Sequence, residues 1–287
     1  MEIDVGRGLY AVAFSADGEY VFTGGDGGLR VWRVEDGKQM ARLEAQSVLC
    51  LAVSKDGQWI AAGMVGGHVH VWDAKTYELG HREEDADDIH GVDFSPNSSR
   101  LVSASANKTA IVWDIATRQR VQTLRHEELV FAAKYSSQGD RIATATPRSV
   151  RVYDSNGRVL VDINATVTPW YNSGLVWFYN HLLVISEGKI KQFEASTGSA
   201  VSECPLPDAD QFSCIALPKH EAFIACSTKR TVTFWDMATH TQHGLIQHPK
   251  GLSSIALSPD DLFMEIGRWD GKIIIQSLSR IIVSTVY

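Results

Sequence analysis

A chain of 287 residues, 44% apolar and 21% charged, is long enough to bury a core that needs no structural metal or disulfide. Its net charge of −7 and pI near 5.8 argue against a general nucleic-acid binder, which carries a strong basic excess. No run approaches the roughly 18 apolar residues of a membrane span, and MEIDVGRGLY lacks the basic start and apolar stretch of a secretion signal, so a cytoplasmic protein without membrane contact is expected.

The dominant signal is an internal repeat. In unit one, residues 8–46, four short runs follow one another: Tyr10 to Ser15, Tyr20 to Thr23, Leu29 to Val34 and Gln39 to Leu43. Gly- and Asp-rich turns separate them, which predicts four antiparallel strands. Unit two (47–86) repeats the pattern with LAVSKDG and Val71-Trp72, and unit three (87–126) with GVDFSPNS and Val112-Trp113. Unit four (127–170) has AAKYSSQG and Val152-Tyr153; unit five (171–208) has a weaker LVWFYN and Gln192-Phe193. Unit six (209–249) has CIALPKHE and Phe234-Trp235, and unit seven (250–287) has SIALSPDD with Gln276 where the ring is expected. The aromatics Trp32, Trp72, Trp113, Tyr153, Phe193 and Trp235 are spaced by 40, 41, 40, 40 and 42 residues.

One four-stranded sheet cannot bury both of its faces, so seven of them predict an all-β, seven-bladed β-propeller in which neighbouring sheets cover each other. Two segments compete to close the ring. MEIDVGRGLYAVAFS aligns with MARLEAQSVLCLAVS, which favours Ile3 to Val5, within residues 1–6, as outer strand of the last blade; Ile281 to Tyr287 is the other candidate.

With Val71-Trp72-Asp73, Val112-Trp113-Asp114, Phe234-Trp235-Asp236 and the Ser-Pro or Ser-Ala-Asp turns in place, the chain resembles the WD40-repeat family over nearly its whole length. The segments AVAFSADGEYVFTGGDGGLRVWRVEDGK and TATPRSVRVYDSNGRVLVDI are similar to fungal WD40 proteins, some of which accompany NLR-like nucleotide-binding sensors. The chain has no G-x-x-x-x-G-K-[ST] phosphate loop of its own. The resemblance implies a His–Asp hydrogen-bonded pair within a blade, for which His248 and Asp270 stand in unit seven. In unit four His126 is retained with Arg148 near the Asp place, and in unit six Asp208 and Lys229 form a possible charge-reversed pair.

Catalysis needs a nucleophile, a base and a stabilising group within reach of one another, and no pattern implies such a set, so no enzyme is predicted. His68-x-His70 has strand spacing suitable for a metal but lacks a third ligand; His240 and His243 read as loop residues. Glu83-Glu84-Asp85-Ala86-Asp87-Asp88 lacks the spacing of a calcium loop and reads as a solvated acidic loop. Cys50, Cys204, Cys214 and Cys226 show no C-x-x-C and read as reduced, buried residues. Neither metal nor cofactor is expected.

The family resemblance implies docking on the face made by the loops that lead into each blade and by the turns of its second hairpin. There the sequence places Arg148, Lys229, Arg230, Arg268, Trp269 and the pair Trp170-Tyr171, with the acidic stretch on units two and three. The expected function is a non-catalytic scaffold that binds a protein or peptide, monomeric as an isolated domain. The alternatives are a lectin-like propeller for a small ligand and a structural sensor domain of a larger NLR-like assembly.

Overall fold

The computed structural model describes residues 1–6, 8–167, 174–206, 214–218, 223–236 and 239–278. Among them every regular element is a strand, and the strands form seven antiparallel sheets of four. Blade 1 is Leu9–Phe14, Tyr20–Gly25, Gly28–Arg33 and Gln39–Leu43. Blade 2 is Val48–Val53, Trp59–Met64, His68–Asp73 and Leu79–Glu84. Blade 3 is Ile89–Phe94, Arg100–Ser105, Thr109–Asp114 and Gln119–Arg125. Blade 4 is Ala132–Tyr135, Arg141–Ala145, Ser149–Asp154 and Val159–Asn164. Blade 5 is Leu175–Phe178, His181–Ser186, Lys189–Glu194 and Ala200–Pro205. Blade 6 is Cys214–Ala216, Phe223–Ser227, Thr231–Asp236 and Thr241–Gln247. Blade 7 is Leu252–Leu257, Phe263–Arg268 and Lys272–Ser277, with Glu2–Asp4 from the chain start as its fourth strand.

The first strand of each blade packs on the first strand of the next, and that of blade 7 on that of blade 1, which closes the ring. Seven apolar clusters occupy the seven seams between blades. The repeated aromatic owes its recurrence to this geometry. From the third strand it reaches into the seam with the preceding blade: Trp72 joins the cluster of blades 1 and 2, Trp113 that of blades 2 and 3, Trp32 that of blades 7 and 1. Where the second strand offers a hydroxyl, the indole N–H donates to it, as Trp32 does to Thr23 and Trp113 to Ser103, both at 2.9 Å. A buried indole N–H left unpaired would cost about 1–3 kcal/mol.

The second sequence marker, the serine after the first strand, is a turn device. Ser54 Oγ accepts the Trp59 amide at 2.8 Å and donates to Asp56 at 2.6 Å; Ser95 does the same with Arg100 and Asn97, and Ser258 with Phe263 and Asp260. The aspartate after the aromatic caps the next turn: Asp73 accepts from the Lys75 and Thr76 amides, and Asp114 from Thr117. Those backbone hydrogen bonds, which reward the charged form, hold both carboxyls below their usual range.

Pairing of the third and fourth strands slips by one residue opposite the aromatic in blades 1 to 6. The extra residue is Met40, Val121, Leu160 or Val201 in four of them, and each is exposed. The exposure of these four apolar residues is a consequence of the bulge, and in blade 4 Val159 is exposed beside Leu160.

At the ring closure the N-terminal strand takes the outer edge of blade 7, with Glu2 opposite Ile274 and Asp4 opposite Lys272. The Met1 amino group donates to the Ile275 carbonyl at 2.8 Å, and the Ile275 amide donates back to Met1 at 2.9 Å. The competing segment, 281–287, lies outside the described residues.

Candidate docking face

Antiparallel order puts the lead-in loops and the second-hairpin turns of all blades on one face, and the first- and third-hairpin turns on the other. On the first face, Trp269 begins the second-hairpin turn of blade 7. Its ring lies 5.9 Å from Tyr10 of blade 1 in an edge-to-face arrangement. It also covers Gly251, where a Cβ would come within 2.9 Å of the indole. Trp269 is therefore half-buried, with one side committed to packing.

The Tyr10 hydroxyl donates to Asp26 at 3.0 Å, and the Ser47 hydroxyl donates to the same carboxylate oxygen at 2.8 Å. Asp26 is exposed and closes the other end of an aromatic ridge that crosses the seam of blades 7 and 1. On the opposite side stand the exposed Lys229, Arg230 and Lys250; the Leu252 amide bonds to the Lys229 carbonyl, which fixes that loop against blade 7. The surface thus runs from three cations on blades 6 and 7, through Trp269 and Tyr10, to Asp26 and Ser47 on blades 1 and 2. Sequence reasoning missed Tyr10, Asp26 and Ser47. The signal for Tyr10 was its place as the residue skipped in the pairing of the first two strands of blade 1, a bulge that re-aims its side chain.

Two sequence expectations are corrected here. Arg268 is not a rim residue: it is buried at 6% exposure, with its guanidinium on Asp270 and, at 3.2 Å, on Glu2 of the N-terminal strand. Lys272 also pairs with Glu2, at 2.5 Å. Nor does His248 pair with Asp270, because Arg268 sits two residues away on the same turn and takes the carboxylate. His248 Nε2 is buried without a hydrogen bond among the described residues, and burial, with Arg268 nearby, pushes its pKa down.

Arg148 is 83% exposed and lies 3.4 Å from Glu128 across blade 4, well away from the Trp269 ridge. Its neighbour in the sequence pattern, His126, meets Tyr153 instead of an aspartate: Nε2 and the phenol oxygen are 3.2 Å apart. Lys229 is exposed, while its possible partner Asp208 and the pair Trp170 and Tyr171 lie outside the described residues.

The remaining polar clusters have structural partners. Asp85 accepts from the Asn107 amide and Asp88 from the Gly66 N–H at 2.8 Å, so the acidic stretch ties blade 2 to the turn of blade 3 while Asp87 stays exposed. His68 and His70 are 6.2 Å apart by ring centroid, and burial, followed by Arg82 and His68, takes His70 down to about 4. No group of three His, Cys, Asp or Glu among the described residues is placed to hold a metal ion. All four cysteines are free and buried.

The model of the WD domain, G-beta repeat family matches residues 5–33, 37–73 and 75–114, which hold the strands of blades 1 and 2 and the first three strands of blade 3. WD repeat-containing protein 1 of Gallus gallus is 24% identical over 212 residues, covering 69% of this chain and 34% of that protein. A subunit of chromatin assembly factor 1 of Gallus gallus is 26% identical over 166 residues, covering 57% of this chain and 26% of that protein. WD repeat-containing protein SL1-17 of Schistosoma mansoni is 31% identical over 109 residues, covering 37% of this chain and 36% of that protein. The chain spans about a third or less of the first two relatives. Blades 4 to 7 repeat the sheet order of blades 1 to 3, and the chain is a seven-bladed β-propeller that carries WD40-type repeats over residues 5–114.

Proposed function

We propose that this chain is a non-catalytic docking module that holds a protein or peptide on the face crossing blades 6, 7, 1 and 2. The observation that carries this reading is the ridge of Trp269 and Tyr10, flanked by Lys229 and Arg230 on one side and Asp26 on the other. Aromatics held rigidly by neighbours bind at low entropic cost, and charges of opposite sign at the two ends orient the partner. WD40 relatives, one of them named as a subunit of an assembly factor, support a scaffold role.

The partner is a segment whose acidic end lies over blade 6 and whose basic end lies over Asp26. Quantitative capture from a lysate, comparing the wild-type chain with Trp269→Ala and with Lys229→Glu/Arg230→Glu, tests it. Both variants are expected to lose the same partner by tenfold or more, the charge variant more steeply at low salt. Retention of that partner by both folded variants would sink the face.

A further inference from the structure

On the opposite face, the notch between blades 3 and 4 is a cavity of about 390 Å³. Its counterpart between blades 1 and 2 has the same turn framework. Ser15, Asp17 and Gly57 there match Ser95, Asn97 and Gly139 here, but the walls differ. Tyr20 and Val53 of the first notch become Arg100 and Tyr135 in the second, at the same places on their strands. Gln122 stands where blade 1 has Ala41, each opposite the valine that precedes its tryptophan.

These substitutions leave polar groups without partners. The Tyr135 hydroxyl is buried and has no hydrogen bond, and burial pushes its pKa far above that of a free phenol. The Arg100 guanidinium is half-buried, and among the described residues it makes no ion pair or hydrogen bond. Its cross-strand neighbour Asp114 gives one carboxylate oxygen to Thr117, and the Arg100 charge helps to keep that carboxyl ionised. The other arginine in the notch is spoken for: Arg141 bonds Asn180 at 2.8 Å, lies 3.5 Å from Asp140 and stacks over Trp177. Asp140 also accepts from Ser136. The Arg100 guanidinium therefore lines the notch with no hydrogen bond or ion pair, in the field of Asp114, while the Tyr135 hydroxyl is closed off behind the wall.

We propose that the notch between blades 3 and 4 binds a carboxylate joined to an amide-bearing fragment, with Arg100 as its donor. A guanidinium donates two parallel N–H groups to a carboxylate, a geometry that an ammonium does not offer. The side-chain amides of Gln122 and Gln138 line the same cavity and suit the amide of an N-acyl amino acid or of a peptide C-terminus. The volume is at the small end for ligand sites and suits about two residues. This site is separate from the docking face and stands or falls apart from it.

Amide-resolved NMR titration of the full chain tests the proposal, with N-acetylglycine, acetyl-triglycine and acetyl-triglycine amide as probes. Both acids are expected to shift residues 95–101 and 135–142, and the amide to bind at least tenfold more weakly. Acetyl-triglycine binding tenfold more tightly than N-acetylglycine identifies a chain end as the natural source; equal binding identifies a small free carboxylate. Arg100→Met is expected to lose at least tenfold, and Tyr135→Phe, whose hydroxyl is closed off from the notch, to change binding little. Arg100→Lys, which keeps the charge and loses the fork, also weakens binding and covers the case in which Arg100→Met does not fold. Equal binding of acid and amide, shifts elsewhere or none, or unchanged binding by the folded arginine variants would overturn the site.

Discussion

Position 265 carries a carboxyl where the other six blades carry Phe22, Ala61, Val102, Ala143, Leu183 and Ala225. Glu265 is fully buried in the seam of blades 7 and 1, and neither oxygen has a hydrogen-bond partner. Burial alone pushes its pKa well above the usual carboxyl range, which favours the neutral form in the fold. Glu265→Met is expected to raise the urea midpoint at both pH 4 and pH 7, by roughly 1–3 kcal/mol of stability at pH 4 and by more at pH 7, where the unfolded chain also gains from ionising the glutamate. A destabilised variant at pH 7 would mean that the carboxylate has a partner. Nothing local in the sequence signals this: Glu265 sits in an alternating run, MEIGR, and only the strand register shows that its neighbours are a closed apolar seam. Trp269 and Lys229 were legible as face residues because turn position alone sets them. Arg268 was not, since the residue that buries it comes from the other end of the chain.

The element on which the ring depends is the N-terminal strand. Backbone pairs with the third strand of blade 7, Ile3 and Val5 in the seam cluster, and Glu2 between Arg268 and Lys272 hold it in place. These contributions differ in size. Glu2 and Lys272 are substantially exposed and screened by water, so Glu2→Gln is expected to lower the midpoint least. Arg268 is buried while its partners Glu2 and Asp270 keep access to water, so Arg268→Met is expected to cost about 1–2 kcal/mol. Deleting residues 1–6 removes the apolar contacts and bares an edge, and should lower the midpoint most and promote association. Urea midpoints in that order support the account; an unchanged midpoint for the deletion contradicts it. The strand was legible because its sequence aligns with the fourth strand and lead-in loop of blade 1. Blade count and strand order were legible too, since one physical need, covering a seam with an aromatic, recurs every 40 to 42 residues.

For the whole molecule, stability should vary with pH through groups that pull in opposite directions. Burial takes His70 and His126 down to about 4, the former helped by Arg82 and the latter by Arg151. A lowered histidine keeps its stabilising effect above the unfolded pKa of 6.5 and loses it as pH falls toward 4. Glu265 works the other way: its folded pKa is raised, so its effect is fully present below 4.5 and is lost as pH rises. Between about 4.5 and 6.5 the two effects partly cancel, at up to about 1.4 kcal/mol per pH unit for each group. Glu265→Gln should steepen the acid limb by about one proton and flatten the fall above pH 6.5; an unchanged profile would show that Glu265 is ionised in the fold.

Docking of a partner on the face of Trp269 and Tyr10 is tested most directly by a photo-crosslinking map. A benzophenone side chain placed at Ser47 or Arg230 on that face, and at Lys55 or Lys75 on the opposite one, is irradiated with the captured partner. Adducts from Ser47 and Arg230 alone are the predicted result; adducts from Lys55 and Lys75 alone, or equally from all four, would contradict it.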